Sequence, residues 1–347
     1  MWTVHNLNND LKKLKSLYRK ETDLKKKYDL SIYIEALETT VTNFTQDNKA
    51  ELINEGLFFN AQELPKYRIY IPYIKEFLRI IDPVANGWKE KIYNSTEYKD
   101  KEMYMLTDKF FKSIDDKTYE IYKNIDKDKA QHLNFTQLKA IDSITYVVPP
   151  LNKYYINLGS NDNDEEIIEA YIHEIGHIIA SRKNNKRYHT RETFTEIESI
   201  FFEILADRFL FNETGNDYFS YLEKDKVNKN YAMATIMDIS SRSYDKVANN
   251  LLDIDNPDLE FEKELKKNGL LYICNRDYET TMRYLFSYMC AIELAMIYKE
   301  NKEEALHILD NIISYRPDIS EYEKIVTNIE PNKYVKKYVK ELKKVKE

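Results

Sequence analysis

Apolar residues recur at helical spacing along most of the chain, with charged and polar residues between them. From Leu7 to about Leu30, for example, leucines and tyrosines fall three or four positions apart among many lysines. Such spacing predicts a helix with one buried stripe and solvated faces elsewhere. Similar patterns predict helices at roughly 32–44, 65–81, 101–111 (continuing past a break to 125), 167–180, 191–211, 228–252 and 282–298, and in the tail from residue 331. The predicted fold class is mainly α.

The pattern changes between residues 143 and 158. Ile144–Val148 and Tyr154–Leu158 are rich in β-branched and aromatic residues, and they flank a Pro-Pro turn. This predicts a β-hairpin, the small sheet of an otherwise helical fold. The edge of a hairpin can bind an extended peptide through main-chain hydrogen bonds, and the hairpin is equally consistent with a purely structural sheet. If it binds a peptide, the residues assigned to that role are Tyr154, Tyr155, Ile156, Asn157, Leu158 and Gly159.

Charge and cysteine content narrow the classes of function. The net charge is −7 with both signs interspersed, whereas a nucleic-acid partner calls for a basic face. The N-terminus shows no signal-peptide pattern and no apolar run reaches membrane-spanning length, so we expect no membrane partner and a cytoplasmic location. Cys274 and Cys290 lie in apolar surroundings without C-x-x-C spacing, which predicts buried free thiols, as in a reducing compartment.

The length of the chain bounds its domain organisation. A chain of 347 residues suits two ordinary domains, or one large helical body around a cleft. Residues 1–130 contain no group of residues whose types and spacing indicate a catalytic or metal site. We expect this N-terminal helical region to form a wall or lid of the cleft. Residues 131–347 contain the motifs described next and are predicted to be the catalytic region, with the boundary near residue 130.

The chemistry centres on His173-Glu174-Ile175-Gly176-His177, inside the helix predicted at 167–180. Residues four apart in a helix lie one turn apart on the same face, so both imidazoles can reach one ion, with Glu174 beside them. In this H-E-x-x-H pattern the two histidines bind zinc, and the glutamate is the general base for a water molecule activated by the metal. The acidic turn at 160–164 is predicted to cap the helix.

A third metal ligand is expected on the next helix, because a catalytic zinc site takes three protein ligands and keeps one position open. Glu196 is nineteen residues after His177, an interval that fits the rest of one helix, a polar turn and the start of a returning helix. Glu203, two turns further along the same face, is predicted to accept a hydrogen bond from the free ring nitrogen of a zinc-bound histidine. Glu192 and Glu198 are interpreted as solvated surface carboxylates.

These residues resemble the oligopeptidase F and thimet oligopeptidase family of zinc metallopeptidases. Gly176 gives the motif the H-E-x-G-H form of the family. The run from Phe194 to Glu203 is similar to the Phe-x-Glu-x-x-Ser-x-x-x-Glu run that supplies the third zinc ligand and an outer carboxylate in the family. Tyr154–Gly159, before the motif helix, and Tyr284–Tyr288, which resembles the Tyr-rich helix of the family, extend the likeness over about residues 145–295.

The resemblance implies a helical zinc-peptidase fold with a substrate cleft, one Zn²⁺ per chain and short peptides as substrates. It also implies that Tyr284 or Tyr288, with Tyr288 preferred, donates a hydrogen bond to the oxyanion formed from the scissile carbonyl. The sequence departs from the family at Ala180, where the family has a third motif histidine, and near Tyr278, where the family has a histidine before the Tyr-rich helix. The chain is also shorter than is usual in the family.

The leading hypothesis is a zinc-dependent endopeptidase or oligopeptidase, in which His173, His177 and Glu196 hold the metal. Its substrates would be short unstructured peptides, hydrolysed by a metal-activated water with Glu174 as the general base. One alternative is a peptide-binding protein that keeps the zinc but has weak or lost catalysis. A second is a helical interaction protein in which the motif is accidental, and this alternative predicts no bound metal.

Overall fold

The computed structural model describes residues 4–45, 68–85, 96–127, 131–136, 143–159, 163–183, 196–248, 278–314 and 321–344. Within these ranges the chain is mainly α-helical, as predicted. The helices are α1 (Val4–Lys20), α2 (Leu24–Thr45), α3 (Ile71–Ala85), α4 (Asp100–Ile114), α5 (Asp116–Lys127), α6 (Asp164–Lys183), α7 (Glu196–Thr214), α8 (Asp217–Ala248), α9 (Tyr278–Glu300), α10 (Lys302–Ile313), α11 (Glu321–Val326) and α12 (Val335–Leu342). The strands are β1 (Gln131–Thr136), β2 (Ile144–Val148) and β3 (Lys153–Gly159). None of the described helices combines the length and apolarity that a membrane crossing requires.

Helix breaks fall where an aspartate caps the next helix. The single helix predicted from Leu7 to Leu30 is two helices, because the Asp23 carboxylate accepts a hydrogen bond from the Lys26 N–H at 3.0 Å and starts α2. The predicted break between 111 and 125 lies at Asp115, whose carboxylate accepts the Thr118 N–H at 2.6 Å and starts α5. Local side-chain chemistry therefore decides where these helices end.

The chain divides into two compact units that do not follow its order. The first unit comprises Met1–Asn54 and Thr96–His189, and the second comprises Glu55–Ser95 and Thr190–Glu347. The boundary predicted near residue 130 falls inside the first unit, because α4 and α5, before residue 130, pack against α6, after it. The role of residues 1–130 as a wall or lid stays a prediction.

The first unit contains a three-stranded sheet with strand order β1-β3-β2. β2 and β3 form the predicted antiparallel hairpin, with Tyr146 opposite Tyr155. The turn between them passes through Asn152, which has a φ of 51°, a left-handed conformation that asparagine tolerates well. β1, which was not predicted, pairs parallel to β3 and makes β3 the central strand. The alternation of polar and apolar residues around Leu133 and Phe135 was the available sequence signal.

Both faces of β3 are covered within the first unit, so its residues from Tyr154 to Leu158 have 0% exposure. One face carries Tyr155, which joins a core cluster with leucines of α1 and α2. Lys153 and Tyr155 on that face both donate hydrogen bonds to Asp10 of α1, itself 1% exposed. The opposite face meets α6, where the Arg182 guanidinium carbon lies 5.1 Å from the centroid of the Tyr154 ring. The sheet thus lies between the α1–α2 pair and the motif helix.

In the second unit α9 packs against α7, α8, α10 and α12. Its residues from Leu285 to Met296 are at most 1% exposed, as expected for a helix that is apolar on every face. Cys290 within this run is a buried free thiol, as predicted, and burial raises the pKa of that thiol. Cys274 lies outside the described residues. Glu293 is a charged exception in the run, and its carboxylate accepts the Tyr334 N–H at the start of α12.

Candidate metal and catalytic site

Helix α6, which carries the H-E-x-x-H motif, has a capped N-terminus. Its first turn is fixed by Asn163, whose side-chain oxygen accepts a hydrogen bond from the Glu166 N–H at 3.1 Å. The predicted capping turn at 160–164 is therefore confirmed for residues 163 and 164, which the structure describes. The first turn carries three acidic residues and the last turn carries Arg182 and Lys183, which complements the helix dipole at both ends. The Glu165 carboxylate also accepts the N–H of Thr96 at 2.7 Å. The motif residues therefore lie on a well-anchored helix.

The two motif histidines face one another across one helical turn. Their Nε2 atoms are 3.1 Å apart, and their ring centroids are separated by 4.7 Å. His173 is 9% exposed and His177 is 7% exposed. Two nitrogen ligands of a tetrahedral zinc ion, each about 2.0–2.1 Å from the metal, are separated by about 3.3 Å. The pair is therefore close to the arrangement that a shared ion requires.

Glu174 lies between the two histidines in sequence and is 3% exposed. Its main-chain carbonyl accepts a hydrogen bond from the Thr145 hydroxyl of β2 at 3.3 Å. This bond links the hairpin directly to the motif turn of α6. Thr145 is opposite Ile156 in the sheet, so the contact also places that face of β2 and β3 under the motif. The hairpin predicted next to the motif helix is confirmed in this position.

Glu196 is the first residue of α7, and it is 5% exposed. One ligand atom from each of His173, His177 and Glu196 lies within 4.8 Å of the other two. A carboxylate and two imidazoles are a donor set that zinc accepts in catalytic sites. These three residues, selected from the sequence by spacing, form a group that can hold a metal ion.

Glu198 corrects one sequence-based interpretation. It was interpreted as a solvated surface carboxylate, but it is 2% exposed on the first turn of α7, and Ser199 beside it is 0% exposed. The first turn of α7 is buried on several faces. Glu198 is therefore covered, although the helical spacing of apolar residues places it on a side expected to face solvent. Glu192 lies outside the described residues.

Arg283 of α9 is a residue near the site that sequence reasoning missed. Its Nε atom is 3.9 Å from Oε1 of Glu196, and its side chain is 25% exposed. Its guanidinium carbon lies 5.5 Å from the centroid of the Tyr284 ring. No motif marks this arginine, because it reaches Glu196 from a helix that begins more than eighty residues later in the sequence.

Glu203 is part of a charged group on α7 and α8. Its Oε2 atom is 3.4 Å from Nζ of Lys226, which also donates a hydrogen bond to the buried Asp207 at 2.6 Å. Arg208 donates to Glu223 at 2.8 Å in the same pair of helices. The hydrogen bond predicted between Glu203 and a metal-bound histidine stays a prediction.

The two tyrosines proposed as oxyanion donors have different environments. Tyr288 is 1% exposed, and its ring packs edge-on against Phe77 with centroids 6.4 Å apart. Burial raises the pKa of the Tyr288 hydroxyl well above its ordinary value, although a hydrogen bond with Tyr338 and the charge of Lys226 lower it. Tyr284, one turn earlier, is half-buried. Tyr284 is the more exposed of the two, and the oxyanion role expected for one of them, with Tyr288 preferred, stays a prediction.

Strand β3 does not provide the peptide-binding edge that was predicted for residues 154–159. β1 occupies one edge and β2 the other, so the main chain of β3 is already paired on both sides. The side chains of Tyr154, Tyr155, Ile156, Asn157 and Leu158 are 0% exposed, and Gly159 pairs with Thr136 of β1. In the described sheet the outer edges belong to β1 and β2. Of the two interpretations of the hairpin, a strand paired on both sides fits the structural sheet.

Comparison with solved structures identifies the fold. A proposed oligoendopeptidase F superposes with a TM-score of 0.57 and 14% identity, covering 95% of this chain and 66% of that one. PZ peptidase A with an inhibitor gives a TM-score of 0.50 and 14% identity, covering 96% of this chain and 66% of that one. A proposed peptidase from Chlamydophila abortus gives 0.51 and 11% identity, covering 96% of this chain and 63% of that one.

The chain has the helical fold of these peptidases. It covers less than two thirds of the length of each of them. No family model matches the chain, and no curated protein matches it. At identities of 11–14% the likeness establishes the fold.

Proposed function

We propose that the protein is a zinc-dependent peptidase that hydrolyses short unstructured peptides. The observation that carries the proposal is the group formed by His173, His177 and Glu196, whose ligand atoms lie within 4.8 Å of one another. The helical fold shared with solved oligopeptidase structures supports the same conclusion. An accidental motif would leave no reason for the third carboxylate to lie beside the two imidazoles.

The donor set fits zinc in its chemistry and in its spacing. Two imidazole nitrogens and one carboxylate are borderline ligands that favour zinc over magnesium or calcium, which prefer oxygen alone. The Nε2 atoms of His173 and His177, 3.1 Å apart, are close to the separation of about 3.3 Å between two ligands of a tetrahedral zinc ion. Three protein ligands leave the fourth position open for a reactant.

Each residue of the site has a defined task in peptide hydrolysis. Zinc, when bound, polarises the scissile carbonyl and lowers the pKa of a water molecule towards neutrality. Glu174 accepts the proton of the attacking water and returns it to the leaving amine. Its side chain is 3% exposed, and the Thr145 hydrogen bond to its carbonyl holds its turn of the helix in place. Tyr284 is the tyrosine that we assign to the oxyanion.

The first experiment is elemental analysis of the purified protein together with a peptide-hydrolysis assay. Wild type is expected to contain about one zinc per chain and to cleave short peptides. Glu196→Ala should lose most of the metal, whereas Glu213→Ala, an exposed carboxylate on the same helix, should keep it. A folded wild type that takes up no zinc when the metal is supplied would refute the site.

Glu174→Gln separates catalysis from binding. The amide keeps the size of the side chain but cannot take the proton, so zinc content should be unchanged while turnover falls by at least about a thousandfold, the upper part of the range for general-base catalysis. Full turnover in this variant would exclude Glu174 as the base. Zinc-loaded wild type that binds peptides without cleaving them would instead identify a peptide-binding protein that has lost catalysis.

A further inference from the structure

Among the described residues, no carboxylate lies within hydrogen-bond distance of Arg283 of the second unit. Its closest ion pair is with Glu196, at 3.9 Å from Nε to Oε1, and its buried Nε–H has no hydrogen-bond acceptor in the described part of the chain. Arg208 has the same 25% exposure, yet its Nε donates to Glu223 at 2.8 Å. Arg242 donates to Asp238 at 3.0 Å.

The position of Arg283 connects it to the candidate metal group. Glu196 is one of the three residues of that group, and Arg283 approaches the same carboxylate without hydrogen-bonding to it. Tyr284 lies beside the guanidinium, whose central carbon is 5.5 Å from the ring centroid, a distance at which the cation and the ring attract each other. The side chain keeps a quarter of its surface exposed. An arginine next to a metal ligand, whose Nε–H has no acceptor among the described residues, is suited to bind an arriving anion.

The chemistry of the guanidinium defines the anion. Its planar fork of N–H groups matches a carboxylate, which it binds through two parallel hydrogen bonds. The candidate metal group also contains the carboxylate of Glu196, which would repel a negatively charged peptide in the absence of a nearby cation. A peptide can supply a carboxylate from its C-terminus or from an acidic side chain near the scissile bond.

We propose that Arg283 recognises a carboxylate of the peptide substrate and thereby gives the site a preference for peptides that present one near the bond to be cleaved. This inference rests on the proposed peptidase function and deepens it. Arg283 acts here as a specificity-determining residue that touches the substrate, whereas Glu196 holds the metal.

The test compares three forms of one dye-labelled short peptide on Glu174→Gln protein, so that binding is measured without turnover. The forms are a C-terminal amide with no acidic residue, the same peptide with a free C-terminal acid, and the amide with one glutamine changed to glutamate. Fluorescence anisotropy should show at least one acidic form binding about 10- to 100-fold more tightly than the neutral amide, as expected for charge-assisted hydrogen bonds. The form that gains affinity identifies the source of the carboxylate.

Variants of Arg283 assign the preference to this residue. Arg283→Ala should remove the difference between acidic and neutral forms, and Arg283→Lys, which keeps the charge but not the fork, should retain part of it. Arg242→Ala, a matched arginine elsewhere in the second unit, should leave the full preference. Equal binding of all three peptides by the Glu174→Gln protein, or a preference that persists in Arg283→Ala, would overturn the inference.

The outcome for the peptidase function is read separately. Zinc content and cleavage of the neutral amide peptide are measured on wild-type protein from the same preparation. Zinc-dependent cleavage without any preference for acidic peptides would reject the role of Arg283 and leave the peptidase function standing. The comparison of peptides on protein with its natural Arg283 keeps the inference falsifiable even if a substitution at this position prevents folding.

Discussion

Glu293 is expected to make the stability of the protein fall as the pH rises from about 5 to 8. Its side chain is 1% exposed, and both carboxylate oxygens are 2.8 Å from the Tyr334 N–H at the start of α12. Burial raises the pKa of this carboxyl from 4.5 to about 8, although the backbone hydrogen bonds from Tyr334 and Val335 lower it. Desolvation therefore has the larger effect on this carboxyl.

The sign and size of the effect follow from the two pKa values. Below pH 4.5 the carboxyl is protonated in the folded and the unfolded chain, so its contribution to stability is complete. Between pH 4.5 and about 8 the unfolded chain releases the proton and the folded chain keeps it, so the free energy of unfolding decreases with pH. The difference between the two pKa values corresponds to at most about 5 kcal/mol.

The assay is urea unfolding followed by circular dichroism at pH 5, 6, 7 and 8. Glu293→Gln cannot ionise, so its unfolding free energy should depend on pH less steeply than that of wild type, by up to the same amount. Glu300→Gln, an exposed glutamate at the end of the same helix, is the matched control and should keep the wild-type dependence. Equal pH dependence of wild type and Glu293→Gln would refute the reasoning, because Glu293 would then be ionised throughout and its hydrogen bonds would outweigh desolvation.

Three further predictions concern the first unit and the metal. Burial opposes ionisation of Asp10, but hydrogen bonds from Lys153 and Tyr155 outweigh it and lower its pKa, so its stabilisation is present above pH 3.8 and is lost as the pH falls through the folded-state pKa. Asp10→Asn should cost about 2–4 kcal/mol at pH 7 in urea unfolding, and an unchanged midpoint would contradict this. Thr145→Val keeps the shape of the side chain but removes its hydrogen bond to the Glu174 carbonyl, so we expect a loss of about 0.5–1.5 kcal/mol, measured in the same way. Removal of zinc with a chelator should abolish peptide hydrolysis and lower the Tm, and adding zinc back should reverse both effects. A Tm that is the same with and without zinc would argue against a metal site in the folded protein.

Much of the local structure could be predicted because it depends on neighbours in sequence. The 3.6-residue period of apolar positions identified the helices, and the spacing of His173 and His177 alone placed two imidazoles on one face of α6. The cap at Asn163 follows from a side chain that reaches the N–H three residues later. The β2–β3 hairpin follows from two segments rich in β-branched and aromatic residues around a turn.

Errors arose where burial depends on distant segments. Glu198 was interpreted as a solvated surface carboxylate, yet it is covered by packing. β3 was predicted as one strand of a two-stranded hairpin, since the third strand, β1, carries only a weak alternation of polar and apolar residues. β1 and β3 pair in parallel although they are not adjacent in the chain. Parallel strands are not joined by a tight turn, so no turn sequence indicates this pairing.

The sequence by itself determined the helices, the hairpin and the metal-ligand residue types, because these depend on periodicity and on spacing within a few turns. Only the tertiary structure decided that the Glu196 carboxylate lies with both imidazoles, that Arg283 approaches that carboxylate, and that Glu293 caps α12. These contacts join residues separated by between nineteen and eighty-seven positions in the chain. Their formation depends on how the apolar faces of whole helices pack, and a local sequence pattern does not encode which faces will meet.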